Sequence, residues 1–443
     1  MHDLQATTRK LAAALLGGSW AVEELVERGT RRIGRRPRWL APLAGRIAAV
    51  FADRPRPSAA TLAKFIACDL AFRRAWEARH EPGLEFVEHD LSRPAMSPCR
   101  GRPTTWQVPD LPTPGSLAEW LQLTPGRLDW FADCQGRQRN SPAGPLRHYH
   151  YRWVLKRSGG VRLIESPKTR LNQIQRRVLD GILNQIPPHD AAHGFRRGRS
   201  IGSFAAPHVG QALVLRFDLQ DFFTSISPAK VVACFLTAGY PEAVARLLAG
   251  LCTNRLPADV WDDEVFRLHG RRERRHAALQ WPHLPQGAPT SPALANLCAY
   301  RLDCRLWALA DSLRAKYTRY ADDLVFSGGE SLERAARRLQ THVAAIVLEE
   351  GLRVHPRKTR IMRRSVRQQV AGVVVNECMN VRRADYDRLK ALLHNCVGHG
   401  PASQNHRALP DFRAHLAGRI AHVAMLNPAR GAALRRAFEQ IAW

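Results

Sequence analysis

The sequence is short of acid, short of lysine, and has no long apolar run. Its 443 residues carry 39 Asp and Glu against 67 Lys and Arg, a formal net charge of +28 with a pI near 10.9. That balance excludes an acidic solubility module, a calcium sensor, or an enzyme acting on cations, and it calls for a polyanionic partner, either nucleic acid or an anionic membrane face. Only eight of the basic residues are Lys. No stretch approaches the ~20 apolar residues of a membrane span. The short apolar run at residues 11–16 is too brief for a secretory signal, and Glu23, Glu24 and Glu27 continue it as a helix. The nine Cys form no Cys-x-x-Cys pair and no Cys/His zinc spacing, so scattered thiols in a reducing cytoplasm are expected. Internal repeats and low-complexity blocks are missing too. What remains is 45% hydrophobic and 24% charged, a globular composition too long for one ordinary domain.

Residues 1–92 read as a helical module, with apolar residues at three- and four-residue spacing (Leu11, Ala14, Leu15; Leu62, Phe65, Ile66) around a basic cluster of Arg31, Arg32, Arg35, Arg36 and Arg38. Such a module could bind RNA or a partner protein, or buttress its neighbour. Six prolines between Pro94 and Pro114 place a linker at 93–115. Beyond it the spacing predicts short helices either side of Thr124-Pro125-Gly126, a hairpin over 152–156 and 161–164 around Ser158-Gly159-Gly160, and a helix over 171–186. A buried strand follows at 212–217, then an apolar helix at 293–309 and a strand–turn–strand at 317–327. Basic residues dominate 151–200 and 351–443, while 201–350 is nearly neutral. A nucleic-acid cleft would need that distribution: basic arms for phosphates around a middle that keeps carboxylates for chemistry.

Two adjacent acids, Asp322 and Asp323, interrupt the apolar and aromatic pattern from Lys316 to Ser327. Burying both costs several kcal/mol unless cations neutralise them, so they point to a shared metal; an exposed hairpin with Asp-Asp at its tip is the other reading. Asp218 ends a second apolar strand, Leu213 to Phe217. Three carboxylates from two strands suffice for two Mg²⁺ ions, which prefer oxygen ligands and, ~3.5–4 Å apart, stabilise the attacking and leaving oxygens of an in-line phosphoryl displacement. Between these strands, Leu284-Pro285-Gln286-Gly287-Ala288-Pro289-Thr290-Ser291-Pro292 forms a rigid turn entering a helix.

Tyr320-Ala321-Asp322-Asp323, Phe217-Asp218 with Phe222-Phe223, and Leu284-Pro285-Gln286-Gly287 resemble the palm motifs of reverse transcriptases and stand in the same order. Ala192-His193-Gly194-Phe195-Arg196-Arg197-Gly198-Arg199-Ser200-Ile201 and Gln286 to Pro292 resemble the retron-type branch. The likeness covers about residues 117–376. It implies an RNA-directed DNA polymerase of mixed α/β (α+β) class, a right hand with fingers and palm at 116–376 and a short, basic, helical thumb at 377–443. Asp218, Asp322 and Asp323 would hold two Mg²⁺ ions, with the Leu219 carbonyl as a further ligand. Phe223 would crowd a ribose 2′-OH, Gln286 would touch the incoming sugar, Tyr320 the primer end, and Arg162 the triphosphate. Arg196, Arg197 and Arg199 would line the template path, and Arg382 and Arg383 would follow an RNA–DNA hybrid. Lys358 would be the general acid toward pyrophosphate, because a Lys can give up a proton where an Arg cannot.

The resemblance further implies dNTPs, a structured non-coding RNA as template and primer, and DNA begun from an RNA 2′-OH and left joined to it by a branch. It also implies phage defence, with or without an effector protein, and no membrane. Two segments differ from the pattern common in retron enzymes: Phe204 opens Phe204-Ala205-Ala206-Pro207-His208 where Asn is usual, and Ala371 stands in Val370-Ala371-Gly372 where Thr is usual. A diversity-generating or other defence reverse transcriptase, or a catalytically silent RNA-binding scaffold, are the alternatives. The 67 residues after Asn376 are too few for an RNase H domain.

Overall fold

The computed structural model describes residues 4–16, 20–51, 57–77, 106–141, 143–156, 159–269 and 278–443. The first part of the expected linker, 93–105, lies outside them. The chain divides into two compact units, one of residues 1–186 and 226–291, the other of 187–225 and 292–443.

In the first unit the N-terminal helices Leu4–Leu16, Val22–Ile33, Leu40–Phe51, Ala59–Cys68 and Leu70–Glu77 close on a core of their own. Leu11, Leu15, Leu25, Leu40, Leu43, Ile47, Leu62 and Ile66 are all fully buried there, each contributing about 1.5–3 kcal/mol. Pro114, counted with the linker by composition, is instead the first residue of helix Pro114–Leu121. Thr113 and Ser116 cap that helix reciprocally, and the missing N–H of proline costs nothing in a first turn. Thr124 caps helix Pro125–Ala132 one way only, its hydroxyl accepting from Arg127 N–H at 3.3 Å.

The predicted hairpin is present and longer than its sequence signal: β1 (Tyr149–Leu155) pairs antiparallel with β2 (Val161–Pro167), with Val154 opposite Arg162. Trp153, Val161 and Leu163 turn one face of it onto Leu256, Val260 and Phe266. The helix expected over 171–186 spans Thr169–Gly181 and tightens into a 3₁₀ turn at Leu183–Gln185.

The second unit is built on a four-stranded antiparallel sheet in the order β4 (Lys316–Tyr320), β5 (Asp323–Gly328), β3 (Leu213–Asp218), β6 (Arg360–Arg363). β3 is central and apolar (Leu213, Val214, Leu215 and Phe217 are buried), as a strand flanked on both sides requires. The apolar helix expected at 293–309 breaks at Ala299 into Ser291–Cys298 and Tyr300–Ser312. Helix Glu330–Glu349 turns Leu332, Leu339, Val343 and Val347 inward. A two-residue turn, Ala371-Gly372, joins the short strands β7 (Gln369–Val370) and β8 (Val373–Val374), and Ala371 adopts a left-handed φ of 43°. The C-terminal helices Arg383–His399, Phe412–Leu426 and Pro428–Glu439 share a core of Leu389, Leu393, Leu416, Ile420, Val423 and Leu434.

Candidate active site

The register of the central sheet sets Asp218, the last residue of β3, directly opposite Asp323, the first of β5. Asp322 fills the two-residue turn between β4 and β5 together with Ala321, whose φ of 54° lies in the left-handed region. The backbone locks this corner: Leu219 N–H donates to the Asp322 carbonyl at 2.8 Å, and His355 N–H donates to the Asp218 carbonyl at 2.7 Å. The segment bearing Lys358 is therefore tied to the end of β3.

Each flanking carboxylate carries a cation. Lys358 Nζ donates to both oxygens of Asp218 at 2.8 and 2.9 Å. Arg216 grips Asp323 with Nη2 at 2.7 Å from Oδ1 and 2.8 Å from Oδ2, and with Nε at 2.9 Å from Oδ1. Burial pushes the Asp322 carboxyl up to about 6, and the negative charges of Asp323 and Asp218 add to that. Burial also moves Asp323 upward, against the pull of Arg216. Among the described residues no group of three or more His, Cys, Asp or Glu is gathered closely enough to hold a metal ion as it stands. The donor set still fits a hard divalent cation: it is all carboxylate oxygen and partly dehydrated, two members already face positive charge, and the third is raised for want of it.

Beneath the turn lies a buried network. Arg319 is fully buried and meets Asp303, equally buried, through Nε at 2.8 Å and Nη2 at 2.6 Å. Its Nη1 donates to Asn296 Oδ1 at 3.0 Å and to the Ala321 carbonyl at 3.2 Å, while Tyr317 O–H donates to Asp303 at 2.8 Å. Asn296 Nδ2 reaches on to the Gly194 carbonyl at 2.8 Å. A side chain at Gly194 would bring a Cβ within 2.7 Å of the Ala321 nitrogen, so only glycine lets this loop lie against the turn. On the other side, His208 bonds Ser327 Oγ and Thr318 Oγ1, both at 2.7 Å, and its pKa is lowered by burial to about 3. Neutral His208 thus fastens the segment that departs at Phe204 onto β4 and β5, with Phe204 itself wholly buried.

Of the other sequence-predicted residues, Phe223 and Tyr320 are half-buried near the turn, and Phe222 is the buried core ring. Arg197 and Arg199 are exposed; Arg196 is half-buried, its guanidinium 3.2 Å from Asp190. Arg382 and Arg383 are exposed at the start of helix Arg383–His399. Arg162 and Gln286 belong to the first unit, Arg162 exposed on β2. The Gln286 carbonyl accepts from Glu165 N–H at 2.8 Å, and Gly287, with φ of 131°, admits a Cβ only 2.8 Å from the Glu165 carbonyl. Glu165 is buried with His283 Nε2 at 3.0 Å and Asn254 Nδ2 at 2.8 Å, so a polar cluster pins the Pro285-Gln286-Gly287 turn to β2.

Sequence reasoning missed Arg216, Arg319, Asp303, Asn296 and the His283–Glu165 pair. Two of these had a signal. Arg216 stands two residues before Asp218, on the same strand face, and Arg319 is a charge between Thr318 and Tyr320 in a strand that leads into the Asp322-Asp323 pair.

An antiparallel sheet that pairs acids on adjacent strands, one of them at a tight turn, defines the palm of a right-hand polymerase of mixed α/β class. The sequence profile of the family described as reverse transcriptase (RNA-dependent DNA polymerase) matches residues 154–375. The Retron Mx65 reverse transcriptase of Myxococcus xanthus is 39% identical over 77% of this chain and 74% of its own length. The Retron Mx162 reverse transcriptase of the same organism is 35% identical over 81% and 74%, and the Retron Ec86 reverse transcriptase of Escherichia coli 31% over 53% and 65%. The chain belongs to the reverse transcriptase family, in its retron type, and is an RNA-directed DNA polymerase.

Proposed function

We propose that this chain copies a structured non-coding RNA into DNA with two Mg²⁺ ions held by Asp218, Asp322, Asp323 and the Leu219 carbonyl. The observation that carries the reading is the register that sets Asp218 opposite Asp323 with Asp322 in the adjoining turn. The ions would supply Lewis acidity to the attacking 3′-oxygen and the leaving phosphate. The protein's own part is positional. Arg216 orients Asp323, and the Arg319 network fixes the Ala321 carbonyl and hence the turn. Lys358 neutralises Asp218; once that carboxylate is engaged elsewhere, its Nζ is free to donate a proton to pyrophosphate.

Phe223 excludes the ribose 2′-OH by clash, Tyr320 supports the primer end, and Gln286 and Arg162 serve the incoming sugar and triphosphate. Arg196, Arg197 and Arg199 follow the template, and Arg382 and Arg383 the hybrid. The retron relatives support the finer reading that synthesis starts from a 2′-OH of the RNA and leaves a branched product serving phage defence, with an effector protein as a further partner. A cytoplasmic setting belongs to the same reading, and among the described residues no helix is long and apolar enough to cross a membrane.

The test has two arms. Purified chain with a primed RNA template, dNTPs and Mg²⁺ should extend the primer, and D322N together with D323N should abolish extension. Chain expressed with its native upstream DNA should co-purify with a short DNA that parts from RNA only after debranching enzyme. Extension without such a product would retain the polymerase and discard the branched-DNA reading.

A further inference from the structure

Phe195 combines features that do not usually occur together. It is a bulky residue in the left-handed region, with φ of 58°, where such side chains are genuine outliers. The residue is 49% exposed rather than buried in compensation. Strain of this kind persists only where the surroundings over-determine it. Here they do: Gly194 is pressed against the Ala321 nitrogen, and its carbonyl is held by Asn296 Nδ2 at 2.8 Å, itself bonded to buried Arg319. The loop is thus fixed from the same network that fixes the catalytic turn. The ring lies 6.0 Å from Phe223 and 6.5 Å from Tyr320, centre to centre, so three rings line one wall beside the turn. On its other side the chain continues directly into Arg196, Arg197 and Arg199, and Asp190 holds Arg196 at 3.2 Å and Arg199 at 3.8 Å.

We propose that Phe195 is a further binding residue, an exposed ring on which the templating nucleobase, the one opposite the incoming nucleotide, stacks. Its position between phosphate-binding arginines on one side and the aromatic pair Phe223 and Tyr320 on the other favours the template base over the primer base. A π-face of this kind accepts any base, as copying requires, and the strained backbone holds the ring out of the core. The inference rests on the active-site reading above.

The test uses the full chain bound to an RNA template with a 3′-deoxy-terminated DNA primer, with 2-aminopurine at the first unpaired template position. Wild-type protein and F195Y should quench the probe, whereas F195A and F195G should not. Extension by F195A should lose about ten-fold in kcat/KM, with F195Y close to wild type. F195G relieves the positive φ, so its melting temperature should hold while stacking is lost, which separates recognition from folding. Quenching that survives in F195A, or that appears only when the probe is moved to the primer end, would overturn the proposal. Because quenching is read without turnover, failure of the active-site reading registers separately, as extension that persists in D322N.

Discussion

The palm keeps acidic side chains in two settings linked by one guanidinium, that of Arg319. Below the turn, Asp303 is fully buried and fully answered: Arg319 meets it with two nitrogens, and Tyr317 adds a hydroxyl. At the turn, Asp322 is raised to about 6 by burial and by two acidic neighbours. One carboxylate is compensated by cationic and hydroxyl partners; the other sits buried beside two further acids. The first setting favours rigidity and the second favours binding, and the Ala321 carbonyl, held by Arg319, joins them.

The sharpest way to break this contrast is at the turn. D322N should lower primer extension by about 10³-fold or more while leaving the melting temperature of the metal-free protein unchanged or raised, since a buried like charge is removed. Enzyme kinetics and thermal melts on the same preparation test both halves. Next comes the lower setting. R319M leaves Asp303 buried without its cation and should cost about 3–5 kcal/mol in denaturant unfolding. Pairing it with D303L should recover most of that loss, because an apolar pair carries no desolvation penalty.

The first unit supplies a third case that sharpens the comparison. Glu165 raises the pKa of His283 despite burial that works the other way. A raised His gives stability that is complete below the ordinary His value and is lost as pH rises through the raised one. Melting temperature in the wild type should therefore fall on that ascent, and E165Q should flatten the profile. A similar slope in E165Q would separate the pair from the pH response.

The smallest effect concerns Asp322 itself. Its pKa is also raised above the unfolded value, so its contribution to metal-free stability is present at acid pH and is lost as pH rises through about 6. Extension should fall below about pH 6, and higher Mg²⁺ should move that limb downward, because cation and proton compete for one carboxylate. A limb insensitive to Mg²⁺ would assign it to another group.

Much of this was legible in the sequence because the chemistry needs unusual residues in usual places. Asp218 and the Asp322-Asp323 pair interrupt apolar strands, and the strand–turn–strand at 317–327 and the hairpin about Gly159-Gly160 fold where their turn residues put them. The support was not legible. Asp303 and Asn296 lie within the stretch 293–309 that reads simply as an apolar helix, and only the fold brings them under Arg319. His283 and Glu165 are 118 residues apart and become partners through tertiary structure alone. Phe195 looked like one more residue in an arginine-rich loop, since neither exposure nor a left-handed φ is written in composition.

The interleaving of the two units also has a temporal side. β3 leaves the ribosome with its apolar face ready, yet Asp323 follows Arg216 by 107 residues and β6 comes later still. At about 5–20 residues per second, β3 waits roughly 5–20 s before any of its sheet partners exists. During that interval Leu213, Val214 and Leu215 are an unpaired, sticky edge. Slower translation of the stretch between β3 and β4 would lengthen that exposure.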